Sequence, residues 1–199
     1  NGAVLDTDNG TLHRSPFAPP SGNGTGTTTV IVRGVIYEKT VQAISNSTNT
    51  YKGFFIQNTA ATADGDPNTS DGILVFMSTY DSLIGGYVPQ VGDEVVISAK
   101  VQEYYFMTEL VSASAIKVVR SGVDINAEVP PVVANPPVSL ADANRYWEHL
   151  QGMRVQVPQN SVVLGGRNVF SPADAEIWVA RPDSTIALRA NPYARKAYR

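Results

Sequence analysis

The run Thr29–Val41, TVIVRGVIYEKTV, alternates apolar and polar residues, is rich in β-branched side chains and carries a glycine in its middle. A period of two marks a strand with one buried face. Glycine within such a run marks a bulge or a bend, because it adopts backbone conformations that other residues avoid. A long strand that bends at Gly34 can pair with different neighbours on its two halves, as the first strand of a small closed barrel must.

Further strand patterns follow at Tyr51–Asn58 (YKGFFIQN), Ile73–Ser78 (ILVFMS), Glu94–Tyr104 and Ala113–Val119. The second and third are separated by the turn-rich loop ATADGDPNTSDG, and Gly92–Asp93 make a tight turn into the fourth. Five strands, bent in the first, match an all-β, five-stranded OB-type barrel over residues 29–121 in number and order. A generic five-stranded sandwich is the competing reading.

The flanks differ in texture. Residues 1–28 hold Pro16, Pro19, Pro20 and the stretch SGNGTGTTT, which reads as an N-terminal arm and linker. Residues 122–139 are Pro-rich and read as a second linker. In residues 140–199 Ser139 caps a short helix, LADANRYWEHLQG, with Gly152 past its end. Strand-like runs then follow at Met153–Val157, Ser161–Leu164, Glu176–Ala180 and Thr185–Arg189. They are too few for a complete second barrel, so we expect a partial OB-like β extension.

Composition narrows the function classes. There is no cysteine, so disulfide frameworks and thiolate metal sites are excluded. No apolar run is long enough to span a membrane. The chain opens on Asn1, from which we expect a cleaved signal peptide or a trimmed start and an extracellular or cell-surface location. Only His13 and His149 are present, and no nucleophile elbow, phosphate loop or zinc-protease motif occurs, so no catalytic centre is expected. The net charge is −3, whereas a dedicated nucleic-acid clamp normally carries excess Lys and Arg. The cations gather instead at the C-terminus, as Arg181, Arg189, Arg195, Lys196 and Arg199 against Asp183 alone. That tail suits either a polyanion or plain solvent.

Two constellations carry candidate chemistry. Asp64, Asp66, Asn68, Ser70 and Asp71 place hard oxygen donors in one loop, as a calcium site requires. The loop departs from the EF-hand pattern at Thr69 and Val75, and the same residue types are what any tight β-loop uses. Aromatic residues cluster on the second, third and fourth strands. Alternation assigns Phe54, Phe76 and Phe106 to the core. It leaves Tyr51, Tyr104 and Tyr105, with Arg33, Lys52 and Lys100, as a candidate face for stacking nucleic-acid bases.

The strings GFFIQ, DGDPNTSDGILVF and VGDEVVISAKVQEYYFMTEL resemble the OB-like accessory domain of large secreted bacterial nucleases. Those proteins place it ahead of an endonuclease/exonuclease/phosphatase-type catalytic domain. The resemblance covers about residues 29–121, and LQGMRVQVPQNSVVLGG resembles the segment that follows. It implies a non-catalytic module that grips extracellular DNA or another polyanion. The catalytic domain's metal and base residues are absent from these 199 residues, which implies a fragment or a reused module. Reuse points to the alternative, a structural subunit of an extracellular filament self-associating through residues 1–28 by strand addition.

Overall fold

The computed structural model describes residues 14–20, 22–44, 47–105, 107–137, 140–163, 168–171, 174–177, 179–180 and 197–198. Strand β1 (Gly24–Ala43) pairs antiparallel with β4 (Glu94–Tyr104) along its first half and with β2 (Thr50–Gln57) along its second. Val35 belongs to both ladders, opposite Glu94 in one and Gln57 in the other. Strand β3 (Gly72–Ser78) continues the sheet from β2, and β5 (Met107–Arg120) lies antiparallel to β4. A short parallel pairing of Leu74–Val75 with Glu109–Leu110 joins β3 to β5 and closes the ring β1-β2-β3-β5-β4. This is the strand order of an OB barrel; a sandwich would leave β3 and β5 apart.

The bend falls where the glycine allows it. A Cβ on Gly34 would stand 3.1 Å from the Gln57 carbonyl oxygen and 3.1 Å from Ile56 Cβ, so the bare backbone lets β2 close in at the corner. A bulge between Ile36 and Glu38 then inserts Tyr37 as an extra residue and turns the strand. Inside the ring, Ile36, Phe54, Ile56, Val75, Ile97 and Leu110 are almost wholly buried. Each contributes roughly 1.5–3 kcal/mol relative to exposure.

The barrel is wider in sequence than the alternating pattern suggests. Strand β1 begins at Gly24, where Gly24 and Thr25 already face Glu103 and Gln102, although the Gly/Thr-rich sequence reads as linker. The preceding residues lie against the same barrel: the Ser15 amide donates to Glu103 Oε1 at 3.2 Å, and Ala18 packs on the core. The Pro-rich stretch is equally docked. Asp124 caps α1 (Ile125–Glu128) through the Asn126 and Ala127 amides, and Val123 and Val129 bury against Val35. Its strand β6 (Val132–Val133) pairs in parallel with β7 (Val155–Gln156).

Helix α2 (Leu140–His149) forms as expected, and the chain leaving it crosses the outside of the barrel. Ser70 donates to the Gln151 carbonyl at 2.6 Å, and the Tyr37 hydroxyl to the Gly152 carbonyl at 2.8 Å. The Arg154 amide donates to Gln57 Oε1 at 2.8 Å, while its guanidinium binds the Ile125 and Val129 carbonyls at the end of α1. This crossing needs a glycine below it: a Cβ on Gly72 would fall 2.1 Å from the Gly152 carbonyl oxygen. Beyond it, β8 (Val162–Val163), β11 (Val179–Ala180) and β12 (Ala197–Tyr198) form a small sheet, and β9 (Asn168–Ser171) pairs with β10 (Asp174–Glu176). The Ser139 cap, Phe106, the Thr185–Arg189 strand and the basic tail lie outside the described residues. Among the described residues no helix is long and apolar enough to cross a membrane.

Two outcomes follow from this packing. Gly72→Ala should cost about 2 kcal/mol, the scale of an overpacked contact. Hydrogen exchange should show the Arg154 amide losing protection while the β1–β4 ladder keeps its own. The second concerns Glu148, whose carboxyl is pushed up to about 7 by burial and by the charge of Glu103. Its value in the folded chain exceeds that in the unfolded chain, so the stabilisation is complete below about pH 4.5 and is lost as pH rises through about 7. Thermal melts followed by Trp147 fluorescence should fall between about pH 5 and 8, and Glu148→Gln should flatten that decline.

Candidate ligand-binding face

The outward side of β1–β2–β3 carries a strip of rings. Phe55 and Gly53 of β2 stand opposite Leu74 and Phe76 of β3, so the register sets these positions on one face. Tyr37, displaced by the bulge, stacks on Phe55 with centroids 5.9 Å apart and planes 26° apart. Tyr51 leans on Phe76 at 5.5 Å and 54°. The Gly152 crossing covers the Tyr37 end, and burial there pushes the Tyr37 hydroxyl pKa upward, with Glu38 adding and Arg154 opposing. The other end is open, with Tyr51 40% exposed.

This arrangement corrects the assignment of Phe76 to the core. The inward positions of β3 are Ile73, Val75 and Met77, so alternation turns Phe76 outward, where it is half-buried. Phe54 lies in the core as expected. Tyr37 escapes the alternation from which faces are read because the bulge displaces it, whereas Phe55 alternates regularly with Phe54.

The six candidate stacking and charge residues fall in three places. Tyr51 and Lys52 are at the open end of the strip, where the Lys52 ammonium pairs with Asp81. Tyr104 and Tyr105 sit at the β4–β5 turn, edge to face at 4.8 Å and 86°, both exposed. Tyr105 takes a left-handed backbone, φ +46°, and its amide donates to Asn23 Oδ1 at 2.9 Å. Arg33 and Lys100 lie on the flank formed by β1 and β4, opposite Val96 and Thr29.

Arg33 has a structural partner. Its Nε donates to Glu94 Oε1 at 2.7 Å, and Arg120 donates to the other oxygen of the same carboxylate. Arg120 also grips Glu128 of α1, so one buried carboxylate joins β1, β4, β5 and the first helix. Burial pushes the Glu94 carboxyl up, and the bonds from Arg120 and Arg33 outweigh it, holding the group below the usual range.

The acidic loop is organised by its own backbone. Asp64 Oδ1 accepts the Asp66 amide at 2.8 Å, and Asp66 Oδ1 accepts the Asn68 amide at 2.9 Å. The Asn68 backbone and side-chain bonds hold the Asp66 carboxyl below its ordinary value. Ser70 turns toward Gln151, and Asp71 accepts from Asn58 Nδ2 at 2.8 Å. His149 of α2 faces this loop: burial and Arg145 push its imidazole pKa down, while Asp66 pulls it up. The five oxygen-bearing residues therefore diverge, and among the described residues no three carboxylate or imidazole groups converge on one point.

No family model matches the chain, and no curated protein does either. Among solved structures it is similar to the mitochondrial single-stranded DNA-binding protein Rim1 of S. cerevisiae, at 21% identity and a TM-score of 0.31. That similarity covers 48% of this chain and 96% of the yeast chain. So slight a likeness carries no argument about function, and the OB assignment rests on the strand order and register of the barrel itself.

Proposed function

We propose that this chain is a non-catalytic OB-fold module that holds single-stranded nucleic acid by stacking bases on the open end of its aromatic strip. The observation that carries this reading is the Tyr51–Phe76 pair, fixed by sheet register and partly exposed on the outer face of β2 and β3. Every base offers a flat apolar face, so such a pair accepts sequence freely, at roughly 1–3 kcal/mol per stacked base. Lys52 sits beside it. An exposed pair such as Lys52–Asp81 contributes about 0–1 kcal/mol, so a phosphate can compete for the ammonium.

The resemblance to secreted nucleases supports placing the module outside the cell beside a phosphodiesterase, where it would hold extracellular DNA for cleavage by another domain. Assembly into a filament through the N-terminal arm has less support. The described part of that arm packs on its own barrel, through Ser15 and Ala18 and through Gly24 and Thr25, which pair with β4.

Fluorescence anisotropy with a labelled oligo-thymidine strand at low salt tests the reading. Binding should weaken modestly as salt rises, as one phosphate contact implies, and Tyr51→Ala should weaken it about tenfold. Lys52→Ala should lower the salt slope by about one. No retention at low salt, or an unchanged Tyr51→Ala variant, would overturn it.

A further inference from the structure

The barrel wall parts between the end of β3 and the middle of β5. Their parallel pairing stops at Val75 and Leu110, and beyond it a cleft of 410 Å³ opens. The wall includes the rings of Phe76 and Tyr80 and the hydroxyls of Ser78, Ser82 and Ser112. Leu83 adds an apolar surface from the β3–β4 connection.

Three features make this more than a gap. Ser78 and Ser112, on strands that face each other across the cleft, both hold left-handed backbone, φ +61° and +51°. Each such residue costs on the order of 1 kcal/mol, and the paired strain sets both residues at the rim of one space. The hydroxyls of Ser78, Ser82, Ser112 and Tyr80 make no hydrogen bond to any other described residue. The nearby Gln102 amide, by contrast, is fully engaged: it accepts from Thr25 at 2.6 Å and donates to Glu109 at 2.8 Å, which stiffens the floor.

The chemistry of the lining selects a ligand. Among the described residues no lysine or arginine lines the cleft, so those residues offer nothing to neutralise a phosphate or a carboxylate. Four hydroxyls that both donate and accept suit a partner that does the same, and two rings suit its apolar C–H faces. We infer that the cleft between β3 and β5 is a binding site for a neutral saccharide. Its volume lies within the roughly 300–1,000 Å³ of small-molecule sites. The inference goes beyond the nucleic-acid reading and does not rest on it, since Tyr51 and Lys52 lie outside the cleft and only Phe76 borders both.

The full chain, labelled with ¹⁵N, is titrated by NMR with cellobiose, maltose and diacetylchitobiose. At least one should give saturable shifts at Ser78, Ser82 and Ser112, with a dissociation constant on the order of millimolar. Two variants keep the outcome interpretable. Tyr80 is 70% exposed, so Tyr80→Ala should fold normally. Ser112→Gly removes the hydroxyl and relieves the left-handed strain, so it should melt no lower than the parent. Each should weaken saccharide binding about tenfold, the loss of one ring contact or one hydrogen bond to a hydroxyl. Ser112→Gly lies on β5, away from Tyr51 and Lys52, and should leave oligo-thymidine binding unchanged while weakening saccharide, which separates the two readings. Absence of shifts with all three sugars, or shifts that persist undiminished in both variants, would overturn the inference. So would a cleft that responds to oligo-thymidine and to none of the sugars.

Discussion

At Val35 one backbone residue stands opposite both Glu94 and Gln57, and the barrel closes through that point. A strand that pairs with one neighbour along its first half and another along its second turns where the two ladders meet, and the Gly34 approach and the Tyr37 bulge supply that turn. The bulge has a second effect. It releases Tyr37 from the alternation and sets it on the outer face against Phe55, so the device that closes the barrel also starts the strip of rings.

One network of charges holds several elements together. Glu94 draws in Arg33 and Arg120, Arg120 reaches on to Glu128, and Arg154 binds the carbonyls at the end of α1. Losing one partner of such a buried carboxylate would leave the rest uncompensated, which makes these cations poor candidates for a mobile ligand. Apart from these cations the surface carries neutral features: the Tyr51–Phe76 pair, the tyrosines of the β4–β5 turn and the hydroxyl-lined cleft.

The barrel was legible in the sequence because its information is periodic. Alternation around Gly34, the apolar runs and the Gly92–Asp93 turn each report a local rule, and these rules agree on one topology. The site was less legible because it depends on register and on distant chain. Lys52 and Arg33 read as free cations until Asp81 and Glu94 are found beside them. Phe76 reads as core until the frame of β3 is fixed. The Gly24–Thr28 strand and the docked Pro-rich segment were hidden by compositions that resemble linkers, since nothing local distinguishes a glycine held by a neighbour from one that is loose.

The crossing at Gln151–Arg154 has a consequence for how the protein is made. Its bonds reach back 115 residues to Tyr37, 97 to Gln57 and 81 to Ser70. During synthesis the ring of five strands can form once Arg120 has emerged, while the cover for Tyr37 and Phe55 is still inside the ribosome. For that interval, on the order of seconds at about 5–20 residues per second, the nascent barrel presents a longer stripe of aromatic rings than the finished molecule ever does. The arrival of Gly152 at the Tyr37 hydroxyl ends that exposure.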